Sequence, residues 1–182
     1  MRWDALKSEI VYRCRIFSVR RDRSRSQGSG LLHDFHVLET GDWVNVVPLT
    51  SDRRVVMVRQ FRHGIRDVTL EVPAGLIDES DATPAEAALR ELREETGYAA
   101  RRIAPLGVVH PNPAIMNNRC HMFVAYDSEP VGEPQWDSTE ELAVEVLPLD
   151  QVPELIRRGA VSNALTLVAF HLLSLFSGEI GA

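Results

Sequence analysis

The chain has 182 residues, 45% of them hydrophobic and 25% charged, a balance typical of a folded protein with one main domain. Its formal net charge of −6 does not favour nucleic acid as a partner. The N-terminus lacks the apolar segment of a signal peptide, and the longest apolar stretch, residues 164–176, is too short to span a bilayer. With only two cysteines, Cys14 and Cys120, no disulfide framework is expected. These features predict a cytoplasmic protein without membrane contact.

Strand patterns fill the N-terminal part of the chain. Residues 9–20 alternate apolar and polar side chains and predict one half-buried strand. The arginine-rich segment 21–30 predicts a charged loop or hairpin tip, whose arginines either face solvent or bind a phosphate. Residues 31–40 predict a second strand.

Two further strands are predicted at residues 42–50 and 53–62. The run 55–58 is apolar on both faces, as expected for a central strand. Another strand begins at residue 68 and breaks at Pro73 and Gly75.

The next element is a helix with a clear beginning and end. Thr83 is predicted as the N-cap, with Pro84 at the first helical position and Glu86 completing a capping box. Gly97 is placed where glycine commonly ends a helix.

The rest of the chain predicts strands at 103–110, 120–127 and 142–149, followed by helices at 152–159 and 162–176. The order of strands, helix, strands and helices predicts an α/β (α+β) fold in which a mixed sheet is packed between helices.

Three glutamates share one face of the first helix. Glu91, Glu94 and Glu95 stand at i, i+3 and i+4, where like charges repel. Taken alone, this pattern fits a charged surface as well as it fits a metal site. The preceding stretch EVPAG would bring the backbone of Ala74 and Gly75 beside these carboxylates. Carboxylates with a carbonyl form the oxygen-rich shell that Mg²⁺ or Mn²⁺ prefers, which favours the metal site.

The stretch GLIDESDATPAEAALRELREETGY resembles the Nudix box, and residues 90–98 match that motif at every fixed position. Its first half departs from the pattern, because Gly75 and Arg90 are separated by one residue more than in the motif. Counting from Gly75 places Asp81 at the first glutamate position, whereas counting back from Arg90 places Ala82 there. Glu79 is nearby.

The resemblance implies the Nudix fold, with a mixed β-sheet sandwiched between α-helices, and a role for each matching residue. Glu91 and Glu95 correspond to direct metal ligands, and Glu94 to a ligand or catalytic residue that acts directly or through water. The carbonyl of Ala74 corresponds to a further ligand, and Arg90 to a residue that orients a glutamate. The expected cofactor is Mg²⁺ or Mn²⁺.

Segments outside the box look like the branch of ADP-ribose pyrophosphatases and nucleoside diphosphate sugar hydrolases; they are WVNVVPLT, VVMVRQFRHG, LEVPAGLID and LIRRGAVSNALTLVAFHLL. This similarity implies a small antiparallel β-subdomain at 1–41, used for dimerisation, and a Nudix domain at 42–182. The expected partners are a nucleoside diphosphate sugar and a second copy of the chain.

The implied reaction is Mg²⁺-dependent hydrolysis of the pyrophosphate bond in ADP-ribose or a related nucleoside diphosphate sugar. Its products are a nucleoside monophosphate and a sugar phosphate. Two alternatives stay open: a Nudix hydrolase of nucleoside triphosphates or dinucleoside polyphosphates, and a sensor that binds ADP-ribose or a nucleotide sugar without cleaving it.

The reaction also needs groups that bind phosphate and a general base. Arg62 aligns with a phosphate-binding arginine of the branch, and Arg59 is a second candidate; for both, a simple ion pair at the strand edge is the alternative. Glu140 and Glu141 are the candidate bases, because that branch often takes its base from a late loop. The alternative for both is a solvated acidic loop.

Nucleobase and sugar recognition is assigned to three residues. Trp43 can stack on a base or pack in a core or interface. Asn117 and Arg119 lie in the proline-containing segment 110–119, where amides can bind sugar hydroxyls or their own turn backbone.

Overall fold

The computed structural model describes residues 2–136 and 141–176. The chain divides into two compact units. The first comprises Met1–Asp42 and His110–Arg119, and the second comprises Trp43–Val109 and Cys120–Ala182. The N-terminal segment and the proline-containing segment 110–119 therefore belong to the same unit.

The first unit contains a three-stranded antiparallel sheet in the order β1-β2-β3. Its strands are β1 (Trp3–Arg13), β2 (Ser18–Ser26) and β3 (Leu32–Glu39). The prediction of one strand over residues 9–20 is wrong, because the chain turns between β1 and β2, where the Cys14 N–H donates to the Phe17 carbonyl at 2.9 Å. The predicted loop 21–30 is also wrong over its first half, which belongs to β2.

Pairing with acidic residues allows the arginine-rich segment to form a strand. Arg23 pairs with Asp34 on β3 at 2.8 Å, and Arg21 pairs with Glu9 on β1. The carboxylates of neighbouring strands thus offset charges that would repel one another within β2. The sequence of β2 alone does not show that carboxylates on neighbouring strands offset its positive charge.

The second unit is built from nine short strands and three α-helices within the described residues. The strands are β4 (Trp43–Pro48), β5 (Arg54–Arg62), β6 (Asp67–Glu71), β7 (Ala74–Leu76), β8 (Tyr98–Ala99), β9 (Arg102–Val109), β10 (Cys120–Tyr126), β11 (Glu129–Pro130) and β12 (Leu142–Pro148). The helices are α1 (Pro84–Thr96), α2 (Val152–Arg157) and α3 (Ala164–Phe176).

The strands of the second unit form a four-stranded sheet, β7-β4-β10-β9, a three-stranded sheet, β12-β5-β6, and the short pair β11-β8. Strands β4 and β10 are parallel, whereas β7 and β9 pair antiparallel with them. The predicted mixed sheet is therefore confirmed. Strand β5 is central in its sheet, and its residues Val55–Val58 are buried, as predicted.

Helices pack on both faces of the four-stranded sheet. Alternate residues of β4 separate the two sides: Val44 and Val46 join the core cluster that contains Leu92 of α1. Val47 joins the larger cluster that contains Phe170 of α3. This alternation confirms the sheet sandwiched between helices. Among the described residues, no helix is both long and apolar enough to cross a membrane.

Candidate functional site

Helix α1 begins and ends as its sequence predicts. The Thr83 hydroxyl accepts a hydrogen bond from the Glu86 N–H at 3.2 Å, and the Glu86 carboxylate accepts from the Ala82 N–H at 3.1 Å. Gly97 adopts φ 73°, a left-handed conformation that favours glycine, and its N–H donates to the Arg93 carbonyl at 2.8 Å. The glutamates thus lie on a helix with both ends fixed.

Arg90 joins two of the glutamates. Its Nη1 donates to Glu91 at 2.8 Å and to Glu94 at 2.9 Å. Like charges at this spacing repel by about a few tenths of a kcal/mol per pair, and one guanidinium between them offsets that repulsion. This contact explains how the acidic face is tolerated in a folded helix.

The other side of Arg90 binds Asp81. Nε donates to Oδ1 at 3.1 Å and Nη2 to Oδ2 at 2.9 Å, while Nη2 also reaches the Leu76 carbonyl at 2.9 Å. The Asp81 hydrogen bonds raise the pKa of Arg90, and the same contact holds the pKa of Asp81 below its ordinary value. Of the residues considered for the first acidic position of the motif, Asp81 is therefore the one that pairs with Arg90.

Strand β7 lies against the acidic face of α1. The buried Glu95 carboxylate accepts a hydrogen bond from the Ala74 N–H at 3.1 Å. A Cβ atom on Gly75 would overlap the Glu91 carboxylate, so only glycine leaves room for that group. The structure therefore brings Ala74 beside Glu95 and Gly75 beside Glu91.

The donor set at this junction suits a hard divalent cation. Carboxylate oxygens of Glu91, Glu94 and Glu95 and a backbone carbonyl of β7 are the ligand types that Mg²⁺ and Mn²⁺ prefer. The space beside Gly75 accommodates the Glu91 carboxylate, which is consistent with a role for this carboxylate in binding a metal ion. Across residues 2–136 and 141–176, no three acidic, histidine or cysteine side chains are grouped closely enough to hold a metal without rearrangement. Glu91 and Glu94 instead contact Arg90, and Glu95 contacts β7.

Residues 131–136 hold the C-terminal turn of α1. The Gln135 N–H donates to the Glu94 carbonyl at 2.8 Å, and the Trp136 indole N–H donates to the Glu95 carbonyl at 2.9 Å. The Val131 N–H donates to the Gly97 carbonyl at 2.8 Å. These donors satisfy carbonyls that a helix end leaves without intrahelical partners, and they fix the turn that carries Glu94 and Glu95.

The candidate bases follow this segment. Glu140 lies outside the described residues. Glu141 is exposed and precedes Leu142, which pairs with Gln60 of β5. Because β12 and β5 run antiparallel, this register places Glu141 toward the end of β5 that carries Arg62.

The two candidate phosphate-binding arginines have carboxylate partners in the structure. Arg62 forms a two-point pair with Glu71, through Nε at 2.8 Å and Nη2 at 2.7 Å. The Nε of Arg59 donates to Glu145 at 2.7 Å. Both side chains are partly exposed, 40% for Arg62 and 45% for Arg59, so these ion pairs leave them within reach of solvent. Their roles in phosphate binding stay predictions.

The three residues assigned to base and sugar recognition all contact other residues of the protein. Trp43 packs against the larger core cluster, which corresponds to its packing alternative. The Asn117 side chain accepts from the Thr40 N–H at 3.4 Å. Arg119 pairs with Asp42, with Nε at 3.0 Å from Oδ2. Substrate contacts by these residues stay predictions.

Two residues with contacts near the site, Glu71 and Trp136, could not be identified from the sequence. Glu71 lies in the segment LEVPAGLID, but its burial and its pairing with Arg62 depend on the β5–β6 register. Trp136 acts through its indole N–H on a helix that ends forty residues earlier in the chain, at Thr96. An aromatic residue beside an acidic loop is common, so only the fold identifies this contact.

Comparison with known proteins adds independent findings. A family model described as the NUDIX domain matches residues 40–167. An ADP-ribose pyrophosphatase of Bacillus subtilis is 30% identical over 133 residues, covering 72% of this chain and 71% of that protein. A GDP-mannose pyrophosphatase of Salmonella typhimurium is 27% identical over 165 residues, covering 86% and 85%. A crystal structure of an ADP compounds hydrolase superposes with a TM-score of 0.88 at 25% identity, covering 100% and 97% of the two chains.

Proposed function

The chain belongs to the Nudix family, and from this premise we propose that it hydrolyses the pyrophosphate bond of ADP-ribose or a related nucleoside diphosphate sugar. The products are a nucleoside monophosphate and a sugar phosphate. The observation that carries the proposal is the junction of α1 and β7, where the intact motif 90–98 meets Ala74 and Gly75. Relatives that act on ADP-ribose and on GDP-mannose support this substrate class.

In this proposal Glu91, Glu94, Glu95 and the Ala74 carbonyl hold Mg²⁺ or Mn²⁺. When bound, the ion neutralises diphosphate oxygens and promotes attack by water. Arg90 holds Glu91 and Glu94 in place from one side, and the Ala74 N–H holds Glu95 from the other. These contacts keep the three carboxylates beside β7, and metal binding regroups them, because no three acidic side chains among the described residues are grouped closely enough to hold an ion as they stand.

Residues outside the α1–β7 junction carry the remaining roles. Arg62 binds the diphosphate, with Arg59 as a second contact. Glu141 or Glu140 takes the proton of the attacking water. The placement of Glu141 toward the Arg62 end of β5 supports this assignment. Trp43, Asn117 and Arg119 are the proposed contacts to base and sugar.

A hydrolysis panel with Mg²⁺ tests the function. ADP-ribose, GDP-mannose, ADP-glucose, UDP-glucose, ATP and a diadenosine polyphosphate are each incubated with the wild type and with Glu95→Gln, and the products are separated by chromatography. We expect diphosphate sugars to give monophosphates and Glu95→Gln to lower the rate at least about a hundredfold while folding is retained. Equal turnover by the variant at saturating Mg²⁺ contradicts the assigned role of Glu95.

The same panel separates the alternatives. Preference for ATP or the polyphosphate assigns the protein to a different class of Nudix hydrolase. Tight ADP-ribose binding without cleavage identifies a sensor. The intact set of Glu91, Glu94 and Glu95 favours the hydrolase over the sensor.

The base is tested by comparing Glu140→Gln with Glu141→Gln. The variant that removes the base retains binding of ADP-ribose and Mn²⁺ but loses about a hundredfold or more in kcat. Full activity in both variants places the base elsewhere in the chain.

We also propose that the protein is a cytoplasmic homodimer that uses its first unit for association. Large apolar side chains are exposed there, including Tyr12 at 56% and Ile16 at 65%. Exposed apolar surface of this kind commonly marks an interface. Sedimentation should report a dimer at micromolar concentration, and Tyr12→Lys should shift it toward monomer while Ser29→Lys, in a polar turn, should not. A monomeric wild type rejects the dimer. The low cysteine content, two residues in the chain, supports the cytoplasmic assignment.

A further inference from the structure

Glu71 is a buried carboxylate with several donors around it. Its residue is 2% exposed, and both of its oxygens accept hydrogen bonds from Arg62. The Thr69 hydroxyl donates to Oε1. Burial would raise the pKa of Glu71, but the hydrogen bonds from Arg62 and Thr69 outweigh it and hold the pKa below its ordinary value. Glu71 is therefore a fixed anion beneath a partly exposed arginine.

The N-terminus of α3 supplies another partner. The Asn163 side chain lies close enough to the Glu71 carboxylate to help lower its pKa. Its Oδ1 also accepts from the Thr166 N–H at 3.0 Å, so Asn163 caps α3 at the same time. The Thr166 hydroxyl, in turn, accepts from the Val72 N–H at 3.3 Å. The start of α3 thus holds the backbone that follows Glu71 and places the Asn163 side chain beside the Glu71 carboxylate.

This network adjoins the α1–β7 junction. Glu71 ends β6, and only Val72 and Pro73 separate it from Ala74, the first residue of β7. The Pro73 carbonyl accepts from the Val46 N–H at 3.0 Å, which holds this short connection to the central sheet. The arginine assigned to the diphosphate and the backbone assigned to the metal are therefore attached to one restrained segment.

Stability alone is a weak reason for this arrangement. A buried ion pair loses much of its attraction to desolvation, and apolar residues of similar volume often stabilise a fold equally well. A two-point carboxylate–guanidinium pair does, however, fix the plane and position of the guanidinium. An apolar residue in place of Glu71 could fill the same volume but could not hold the Arg62 guanidinium in position.

We propose that Glu71 is a positioning residue that sets the Arg62 guanidinium for the substrate diphosphate, and that Asn163 aligns Glu71 for this task. The proposal rests on the proposed function, because it takes Arg62 as a diphosphate contact. Without Glu71, Arg62 has one restraint fewer and must lose more side-chain freedom when substrate binds, and this lowers affinity. The effect acts on substrate binding rather than on bond cleavage.

A double-mutant cycle tests the coupling. Glu71→Gln removes the charge while keeping the shape, and we expect KM for the best diphosphate sugar to rise about tenfold with kcat within about twofold. In an Arg62→Ala background, Glu71→Gln should add nothing further to KM. Independent effects of the two substitutions, an unchanged KM with a lowered Tm, or a lowered KM each overturn the proposal.

Asn163→Ser provides a second variant in case Glu71→Gln does not fold. Serine retains a helix-capping oxygen but lacks the amide that contacts Glu71. We expect a rise of about threefold in KM that also disappears in the Arg62→Ala background. Persistence of the rise without Arg62 rejects the role of Asn163.

A spectroscopic measurement separates this proposal from the proposed function. The Arg62 Nε–H resonance, assigned in ¹⁵N NMR spectra by its loss in Arg62→Ala, should exchange slowly with water in the wild type and rapidly in Glu71→Gln. Rapid exchange in the wild type shows that Glu71 does not anchor Arg62 and overturns the proposal, whatever the enzyme cleaves. Slow exchange, together with no cleavage of any diphosphate sugar in the panel, supports the anchoring and rejects the proposed function and the substrate role of Arg62.

Discussion

Replacing Gly75 with alanine tests the candidate metal site through a clash with one proposed ligand. The three atoms nearest to the added Cβ all belong to the Glu91 carboxylate, and its Oε2 would be only 2.6 Å away. The carboxylate is the end of a flexible side chain, so it can rotate away without movement of the backbone. The expected damage is therefore to metal binding rather than to folding.

The two contributions to stability nearly cancel. Gly→Ala at a compatible backbone position stabilises a protein by about 0.4–1 kcal/mol through the unfolded state. Loss of the contact between Glu91 and Arg90 costs about 1 kcal/mol or less, because Arg90 keeps Asp81 as a partner. We expect Tm to change by no more than about 3 °C.

Metal affinity, in contrast, should fall at least about tenfold, since even groups that only orient a ligand contribute about 10–100-fold. Free Mn²⁺ can be measured by electron paramagnetic resonance during titration, and the Mg²⁺ dependence of hydrolysis gives a second estimate. Gly28→Ala is the matched control, because the nearest atom to its added Cβ is 4.0 Å away. A folded Gly75→Ala protein that binds Mn²⁺ as tightly as the wild type refutes Glu91 as a ligand at this position.

The remaining predictions concern the contacts that hold α1. Asp81→Asn should lower Tm by about 4 °C near pH 7. Because the folded pKa of Asp81 lies below its ordinary value of 3.8, this contribution is present above that pH and is lost as pH falls through the folded value. Thermal melts of the two proteins should therefore approach each other as the pH falls below 3.8 and converge below the folded pKa of Asp81, and a constant difference would contradict the pairing with Arg90. Trp136→Phe keeps an aromatic ring but removes the donor to the Glu95 carbonyl, so the Mg²⁺ concentration for half-maximal rate should rise about threefold and Tm should fall by about 3 °C. A variant with unchanged Mg²⁺ dependence excludes a role for this hydrogen bond at the site.

Local signals explain which elements were predictable. Helix α1 was predicted at both ends because Thr83 and Gly97 act through neighbours within a few residues. Strand β2 was missed because its arginines are compensated by Glu9 and Asp34 on other strands. The sequence of β2 alone shows the positive charge of its arginines but not the carboxylates on the neighbouring strands that offset it.

The same distinction applies to the site. The spacing of Glu91, Glu94 and Glu95 within one helix was enough to place them on a common face. Contacts from residues distant in sequence, such as Gln135 to Glu94, appear only when the strands are assembled. The sequence therefore predicted the candidate ligands and the nearby Arg90, but not the contacts from residues 131–136 that hold the end of the helix.

The first half of the motif differs from the Nudix pattern, but the carboxylate contact to Arg90 is retained. Asp81 is one methylene shorter than the glutamate of the motif, and the segment between Gly75 and Arg90 is one residue longer. The turn in which the Asp81 N–H donates to the Asp78 carbonyl at 3.1 Å presents the shorter carboxylate to Arg90. The extra residue lies before the helix cap at Thr83, so the register of the glutamates is unaffected. Arg90 therefore needs a carboxylate within reach and in the right plane, and this requirement can be met by more than one spacing in sequence.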